Sequence, residues 1–250
     1  MILAVMQPTY LPWLGYFDLI DQSHVFVFHD NVQFEKQSWQ QRNRIKTSQG
    51  GQWLSVPVYQ SSTQTIIEVS IVQIGTIADW RRKHWKSLAT SYQKAPFWST
   101  YGPVLEEVYQ RKWEKLSELN IHLIHLFSRW LGLSSRVVRA SELPSLPLAR
   151  AERLVALCKM FEADVYLSPA GSRSYLESDE LFQKNGISLV FQQYDHPEYP
   201  QLHGGFISHL SVLDLLMNCG PSALEIIRSG RKKWKKCSEM VVENGVMNAN

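Results

Sequence analysis

The sequence predicts an α/β fold with a Rossmann-like, mostly parallel sheet. Residues 2–6 (ILAVM) and 24–28 (HVFVF) are short apolar runs without alternation, which is typical of strands buried on both faces. A candidate helix over 13–20 separates them, and this order predicts a β–α–β unit with parallel strands. The same succession of strands and helices returns after residue 135.

Composition excludes several classes of protein. Of the 250 residues, 44% are hydrophobic, which is enough for a core and excludes a disordered chain. The net charge of +3 argues against a DNA-binding protein. The 3 cysteines are too scattered for a disulfide scaffold, and no residue cluster has metal-ligand spacing. Because there is no basic leader and no apolar run of about 20 residues, we expect a cytoplasmic protein without membrane insertion.

The middle of the chain follows two other patterns. A polar and aromatic stretch over about 35–75 predicts an antiparallel β insertion, with strand candidates at 41–46, 52–58 and 66–72. Residues 78–132 have helical periodicity, and Pro96 and Gly102-Pro103 divide them into about three helices.

After residue 135 we predict further strands and helices in alternation. The strand candidates are 137–138, 165–167 and 187–191, and the helix candidates are 148–161, 175–184, 212–218 and 222–228, with a long polar loop over 192–206. We therefore expect one α/β domain over 1–229, followed by a basic, flexible tail over 230–250.

The loop after the first strand is the first candidate binding segment. In an open parallel sheet, ligands bind beyond the carboxyl ends of the strands. Gln7 and Thr9 offer hydrogen bonds, Tyr10 and Trp13 offer stacking, and Gly15 permits close approach of a ligand. The alternative is a rigid turn with its rings packed underneath.

Polar residues also follow the second strand, at the same predicted edge. Asp30, Gln33 and Lys36 are typical of a site for a polar substrate or a phosphate. A solvated turn is the alternative.

A basic segment lies in the predicted β insertion. In an extended strand, Arg42, Arg44 and Lys46 share one face and attract an anion. Trp39 and Asn43 are further binding candidates beside them, whereas the alternative is a charged face that is simply solvated.

Small residues form a strand-to-helix turn after 165–167. Exposed amides and hydroxyls at such a turn make an anion cradle, for which the candidates are Ser168, Ser172, Arg173 and Tyr175. Helix capping by Ser172 or Ser174 is the competing interpretation.

The loop over 192–206 supplies the catalytic candidates. Asp195 beside His196 predicts an oriented general base, with Tyr199 and Gln201 as nearby binding residues.

Three further polar candidates belong to the helix at 212–218. Ser211 fits its N-cap, and Asp214 and Asn218 lie one turn apart on one side of an otherwise apolar helix.

Together these segments resemble the WbqC-like family. The resemblance extends to about residue 229 and is carried by MQPTYLPWLGYF at 6–17, DNVQ at 30–33, WQQRNRIK at 39–46, WLSVPV at 53–58, YLSPAGSRSYL at 166–176, DHPEYPQ at 195–201 and LSVLDLLMNCGP at 210–221. It implies a role in O-antigen or other surface-polysaccharide biosynthesis, with transfer of an amino acid, glycine being one candidate, onto a sugar.

The opening segment also looks like that of adenylate-forming nucleotidyltransferases such as pantothenate synthetase. That class has an H-x-G-H signature, and the corresponding residues here are Trp13-Leu14-Gly15-Tyr16, without either histidine. The likeness implies ATP as a candidate cofactor, with Arg42, Lys46 or Arg173 as phosphate binders. Apart from this likeness, the sequence does not identify a cofactor.

We expect an enzyme that transfers an acyl or aminoacyl group to a nucleotide-linked sugar. The donor or nucleotide would contact the strand-end residues and the basic strand, and His196 would take the proton. One alternative is a non-catalytic protein that binds a nucleotide-linked sugar or docks onto a glycan enzyme. RNA binding through the basic strand and tail is the weaker third hypothesis.

Overall fold

The predicted α/β class, with its mostly parallel sheet, is confirmed. A computed structural model describes residues 1–59, 64–73, 79–146, 150–176 and 180–236; for 173–175 and 236 it describes the backbone alone. Six strands form one sheet in the order β5-β2-β1-β6-β7-β8, and all neighbours are parallel except β7 and β8. The strands are β1 (Ile2–Met6), β2 (Val25–Phe28), β5 (Arg136–Arg139), β6 (Val165–Ser168), β7 (Ser188–Tyr194) and β8 (Arg231–Lys236).

Both faces of the sheet are covered, which explains the unbroken apolar runs of β1 and β2. Alternate side chains point to opposite faces, so Ala4 joins one core cluster and its neighbours Leu3 and Val5 join the other. Helices α1 (Leu14–Gln22), α4 (Leu116–Leu131), α7 (Val212–Cys219) and α8 (Ala223–Ser229) cover the first face. Helices α5 (Arg150–Met160) and α6 (Glu180–Lys184) cover the second.

The predicted β insertion is a two-stranded antiparallel hairpin, β3 (Arg42–Thr47) and β4 (Gly50–Ser55). The strand expected over 66–72 is wrong. Residues Ile66–Glu68 form a 3-10 helix instead, because the Glu68 carboxylate accepts a hydrogen bond from Thr65 N at 2.6 Å and closes the turn. The chain then makes only isolated bridges at Ser70 and Ile71.

The helical segment contains α2 (Trp80–Tyr92), α3 (Trp98–Gln110) and α4. Pro103 does not end a helix as expected, since α3 continues through it. The breaks lie at 93–97 and 111–115. None of the helices in the described ranges combines the length and the apolar character that a membrane crossing requires.

The first residues of the basic tail are ordered, contrary to the expected flexible terminus. Residues Arg231–Lys236 form β8, which pairs with β7. The Arg231 guanidinium forms ion pairs with Asp18 and Asp21 of α1, and Trp234 Nε1 donates to Gln22 of the same helix. These contacts hold the strand against the sheet edge, whereas residues 237–250 lie outside the described part.

Candidate functional site

A cavity of about 610 Å³ lies at the carboxyl ends of β1, β2 and β6. This is the edge at which open parallel sheets bind ligands. One wall belongs to the α5 side; most of its residues are apolar, among them Val5, Leu154, Tyr166 and Leu176, and Arg150 is its charged member. The opposite wall is polar and comes from the loop after β1 and the start of the hairpin, with Gln7, Thr9, Ser38, Gln40 and Asn43.

Hydrogen bonds fix the amides of the polar wall. Gln40 Nε2 donates to Gln7 Oε1 at 2.9 Å, and Asn43 Nδ2 donates to the carbonyl of Leu11 at 2.6 Å. Leu11 has a φ of 46°, a left-handed conformation that costs energy in a branched residue. The loop is therefore held in one strained shape by its neighbours.

Positive charge gathers at the α5 side of the cavity. His29 follows β2 and lines the cavity with Arg150, the first residue of α5. Arg153 Nη1 lies 3.2 Å from His29 Nε2. Burial, together with the charges of Arg153 and Arg150, lowers the pKa of His29 to about 4. The imidazole is thus neutral at pH 7, and the Arg150 guanidinium makes this wall suitable for an anion.

Aromatic rings form the rim of the cavity. Trp13 stacks on His209, with ring centroids 5.4 Å apart, and Trp39 lines the cavity with half of its surface exposed. His209 has a φ of 57°, and its Nδ1 lies 2.9 Å from Ser208 Oγ. The Ser208 hydroxyl can pair with Nδ1 in either tautomer, and in the tautomer with the proton on Nδ1 the basic nitrogen is Nε2.

Six of the predicted site residues line this cavity. They are Gln7, Thr9, Trp13, Trp39, Asn43 and Ser172.

The remaining candidates from the first two loops have structural positions. Tyr10 is fully buried, and its hydroxyl bonds His84 Nδ1 at 2.8 Å and Tyr109 OH at 2.6 Å. Asp30 is also fully buried, and its carboxylate accepts bonds from Ser141 N and Oγ at 2.9 and 2.7 Å. Gly15 leaves space for the Trp13 ring and not for a ligand. All three therefore hold the scaffold of the cavity.

The predicted basic face is divided. Lys46 is buried, and its Nζ donates to the carbonyls of Gly204 and Gly205 at 2.8 and 2.5 Å, because the later loop folds over this end of the hairpin. Arg42 stays partly exposed and packs on Trp53. Other candidates away from the cavity are the exposed side chains of Gln33 and Lys36.

The predicted catalytic pair does not form. The Asp195 carboxylate is exposed and pairs with Lys232, so it does not orient His196. His196 packs between Trp13, His209 and other rings, and its Nδ1 lies 3.0 Å from the Pro197 carbonyl. Burial, and secondly the charge of His209, lowers its pKa to about 4. His196 therefore supports the rim and does not face the cavity.

The other late candidates fasten the loop that carries His209. Gln201 exchanges two hydrogen bonds with the backbone of Ile207 at 2.9 and 3.0 Å. Asn218 Oδ1 accepts from Leu202 N at 3.2 Å, and its Nδ2 donates to the Asp214 carbonyl at 2.7 Å. Ser211 caps α7, Tyr92 donates to Asp214, and Tyr199 is buried. Ser168, at the end of β6, is bonded to Ser172.

Two further candidates, the side chains of Arg173 and Tyr175, lie outside the described part. In the described ranges, no three His, Cys, Asp or Glu side chains are grouped as metal ligands.

Sequence reasoning missed His29, Gln40, Arg150 and His209. His29 had a usable signal, since it directly follows a predicted buried strand. Arg150 had no usable sequence signal, because it is the tertiary fold that brings the start of α5 to the edge of the sheet where the cavity lies. The left-handed backbone of His209 is likewise invisible in the sequence.

Gly15→Ala is expected to lower the free energy of unfolding by about 1–3 kcal/mol through overpacking. A Cβ at this position would lie 2.4 Å from two atoms of the Trp13 ring. Urea unfolding followed by circular dichroism measures the loss. Gly171→Ala is the matched control, because nothing lies within 4 Å of its added Cβ. Equal effects of the two changes would contradict this packing role.

Comparison with known proteins places the chain in a family. The model of the WbqC-like protein family matches residues 7–226. An uncharacterized protein of Mycobacterium tuberculosis is 36% identical over 237 residues, which cover 92% of this chain and 98% of that protein. No solved structure matches the chain. The chain therefore belongs to the WbqC-like protein family.

Proposed function

We propose that this protein is an enzyme of surface-polysaccharide biosynthesis that transfers an acyl or aminoacyl group, glycyl among the candidates, to a nucleotide-linked sugar. One observation carries the proposal. A single cavity brings together the guanidinium of Arg150, a wall of fixed amides and hydroxyls, and the imidazole of His209 at its rim. These groups match the phosphates, the hydroxyls and the reacting nucleophile of such a sugar.

The walls define how the sugar nucleotide would lie. Its phosphates would lie against Arg150 and His29, where the Arg150 guanidinium offers paired donors. The sugar would contact Gln7 and Asn43, whose amides are already held in place. Trp39 would pack against the sugar at the rim.

His209 is the proton acceptor in this proposal. The sugar amine or hydroxyl attacks the carbonyl carbon of the donor, and a new N–C or O–C bond forms. The bond from that carbon to the leaving group then breaks, and the leaving group departs with its electron pair. The proton of the nucleophile passes to His209 Nε2, which the contact of Nδ1 with Ser208 leaves available.

His209→Asn is expected to reduce turnover by about 10²–10⁴-fold, the usual contribution of a general base. Asparagine tolerates the left-handed backbone, so the imidazole is removed without new strain. The assay incubates nucleotide-linked sugars with acyl or aminoacyl donors and detects the mass of the modified sugar. His122→Asn is the matched control, because it removes a half-buried imidazole of α4 that does not line the cavity.

The competing function is a non-catalytic protein that binds a nucleotide-linked sugar. Thermal shifts with such sugars, unaccompanied by turnover with any donor, would favour it. Full turnover in His209→Asn would remove the proposed base. Absence of any thermal shift with sugar nucleotides would overturn the proposed substrate class itself.

We also propose a cytoplasmic setting, which the free thiols of Cys158 and Cys219 support. ATP stays a candidate cofactor of this reaction, although the phosphate-binding role considered for Lys46 is taken by its contacts with backbone carbonyls.

A further inference from the structure

An exposed aromatic and basic surface extends from the mouth of the cavity onto the hairpin. We call Trp39, Trp53, Arg42 and Arg44 the tryptophan ledge. The two indole rings lie 5.4 Å apart and are 50% and 45% exposed, which is unusual for residues of this size. Trp39 also lines the cavity, so the two surfaces are continuous.

Two guanidiniums lie over the Trp53 ring. The Arg42 and Arg44 Cζ atoms are 4.7 and 5.6 Å from its centroid. Arg44 Nε is buried and has no hydrogen-bond partner among the described residues. The ledge therefore combines flat apolar rings with positive charge.

The backbone beneath the ledge is fixed. The carbonyl of Trp39 accepts from Tyr10 N at 3.0 Å, and the carbonyl of Arg44 accepts from Ser211 N at 3.0 Å. Between the two arginines, Asn43 is buried and bonded to the loop after β1. The four side chains are thus presented from a rigid support.

We propose that the tryptophan ledge binds the nucleotide carrier of the second substrate, a nucleoside with at least two phosphates. This inference rests on the proposed function, since a transfer reaction needs a donor beside the sugar held in the cavity. A base stacks on an indole face, and phosphates pair with guanidiniums.

Charge complementarity favours this occupant over the others. A neutral saccharide would stack on the rings but would leave both guanidiniums without an anion. An apolar protein segment would have to bury these two charges, at an energetic cost. Only a ligand with both a flat ring and anionic groups uses all four side chains.

Calorimetric titration of the full chain with ADP and, separately, with UDP tests the ledge. We expect at least one of them to bind, and Trp53→Ala to weaken that binding by about 5- to 150-fold, the usual effect of losing one stacked base. Arg44→Gln is expected to weaken binding and to reduce its salt dependence. Free adenosine and inorganic pyrophosphate are expected to bind more weakly than the intact nucleotides.

Matched controls separate the ledge from the rest of the surface. Tyr59→Ala removes an aromatic ring of equal exposure, 51%, and Arg82→Gln removes an exposed arginine of α2. Neither is expected to change the nucleotide affinity. Circular dichroism verifies that each variant is folded.

The outcomes distinguish this proposal from the proposed function. Unchanged nucleotide affinity in Trp53→Ala and Arg44→Gln overturns the ledge, as does failure of both nucleotides to bind. If nucleotide-linked sugars still bind and respond to Arg150→Gln, the proposed function stands without the ledge. If ledge variants lose ADP or UDP while no sugar nucleotide binds, the ledge stands and the proposed function fails.

Discussion

Arg231→Met is expected to reduce the free energy of unfolding by about 3–5 kcal/mol, the range for removing one partner of a buried ion pair. Asp18 of α1 is fully buried, and its Oδ1 accepts from Arg231 Nε at 2.8 Å. The same guanidinium pairs with Asp21. Methionine keeps the apolar stem but leaves the Asp18 charge without its cation. Urea unfolding at pH 7 measures the loss.

Arg228→Met is the matched control for this substitution. Arg228 also binds Asp21, at 2.7 Å, but its side chain is 53% exposed. Solvent screens such a pair, so we expect a loss of at most about 1 kcal/mol. Equal losses for the two arginines would contradict the importance of the buried pair. The double variant Arg231→Met with Asp18→Asn is expected to recover part of the stability, because no uncompensated charge remains.

The stability difference between wild type and Arg231→Met is expected to shrink in acid. Burial raises the pKa of Asp18, whereas hydrogen bonds from Gln192 and Arg231 and the charge of Arg231 lower it. The folded pKa of Asp18 is thus raised above its unfolded pKa of about 4, so protonation of Asp18 favours the folded state. This contribution to stability is complete below the unfolded pKa and is lost as the pH rises through the folded pKa. Removing Arg231 raises the folded pKa further. The deficit should therefore be full at pH 7 and smallest near pH 4.

The parts of the fold that follow from periodicity and sheet rules could be predicted from the sequence. The apolar runs of β1 and β2 lack alternation because both faces of the sheet are covered. Such a run can be recognised from a few consecutive residues. The 3-10 helix at Ile66–Glu68 and strand β8 could not be predicted in this way. The 3-10 helix depends on the contact of the Glu68 carboxylate with Thr65. Strand β8 depends on partners in α1, which are far from it in sequence.

The residues of the candidate site can likewise be separated into those that the sequence predicts and those that it does not. The strand-end rule found Gln7, Thr9 and Trp13, which line the cavity. It also selected Tyr10 and Asp30, because a sequence does not show that a polar atom is already bonded to another buried group. The pair Asp195 and His196 was likewise predicted because the two residues are adjacent in sequence. In an extended loop, however, adjacent side chains point apart.

Lys46→Met is expected to destabilise the protein by about 1.5–3 kcal/mol, the range for hydrogen bonds that involve a charged group, and to loosen the loop that carries His209. Lys46 Nζ donates to two carbonyls of this loop, at Gly204 and Gly205. Burial raises the pKa of Asp214, whereas hydrogen bonds and, after them, the charge of Lys46 lower it. The main energetic loss is therefore that of the charged hydrogen bonds to the loop.

Three readouts test the role of this lysine. Amide hydrogen exchange should accelerate over 203–209, and turnover should fall although Lys46 does not line the cavity. Adding Asp214→Asn should not restore the slow exchange of the loop, because Lys46 Nζ bonds the loop directly at Gly204 and Gly205. Lys86→Met, an exposed change on α2, should alter stability by less than about 0.5 kcal/mol. Unchanged exchange in Lys46→Met would mean that Gln201, Asn218 and His203 hold the loop without it.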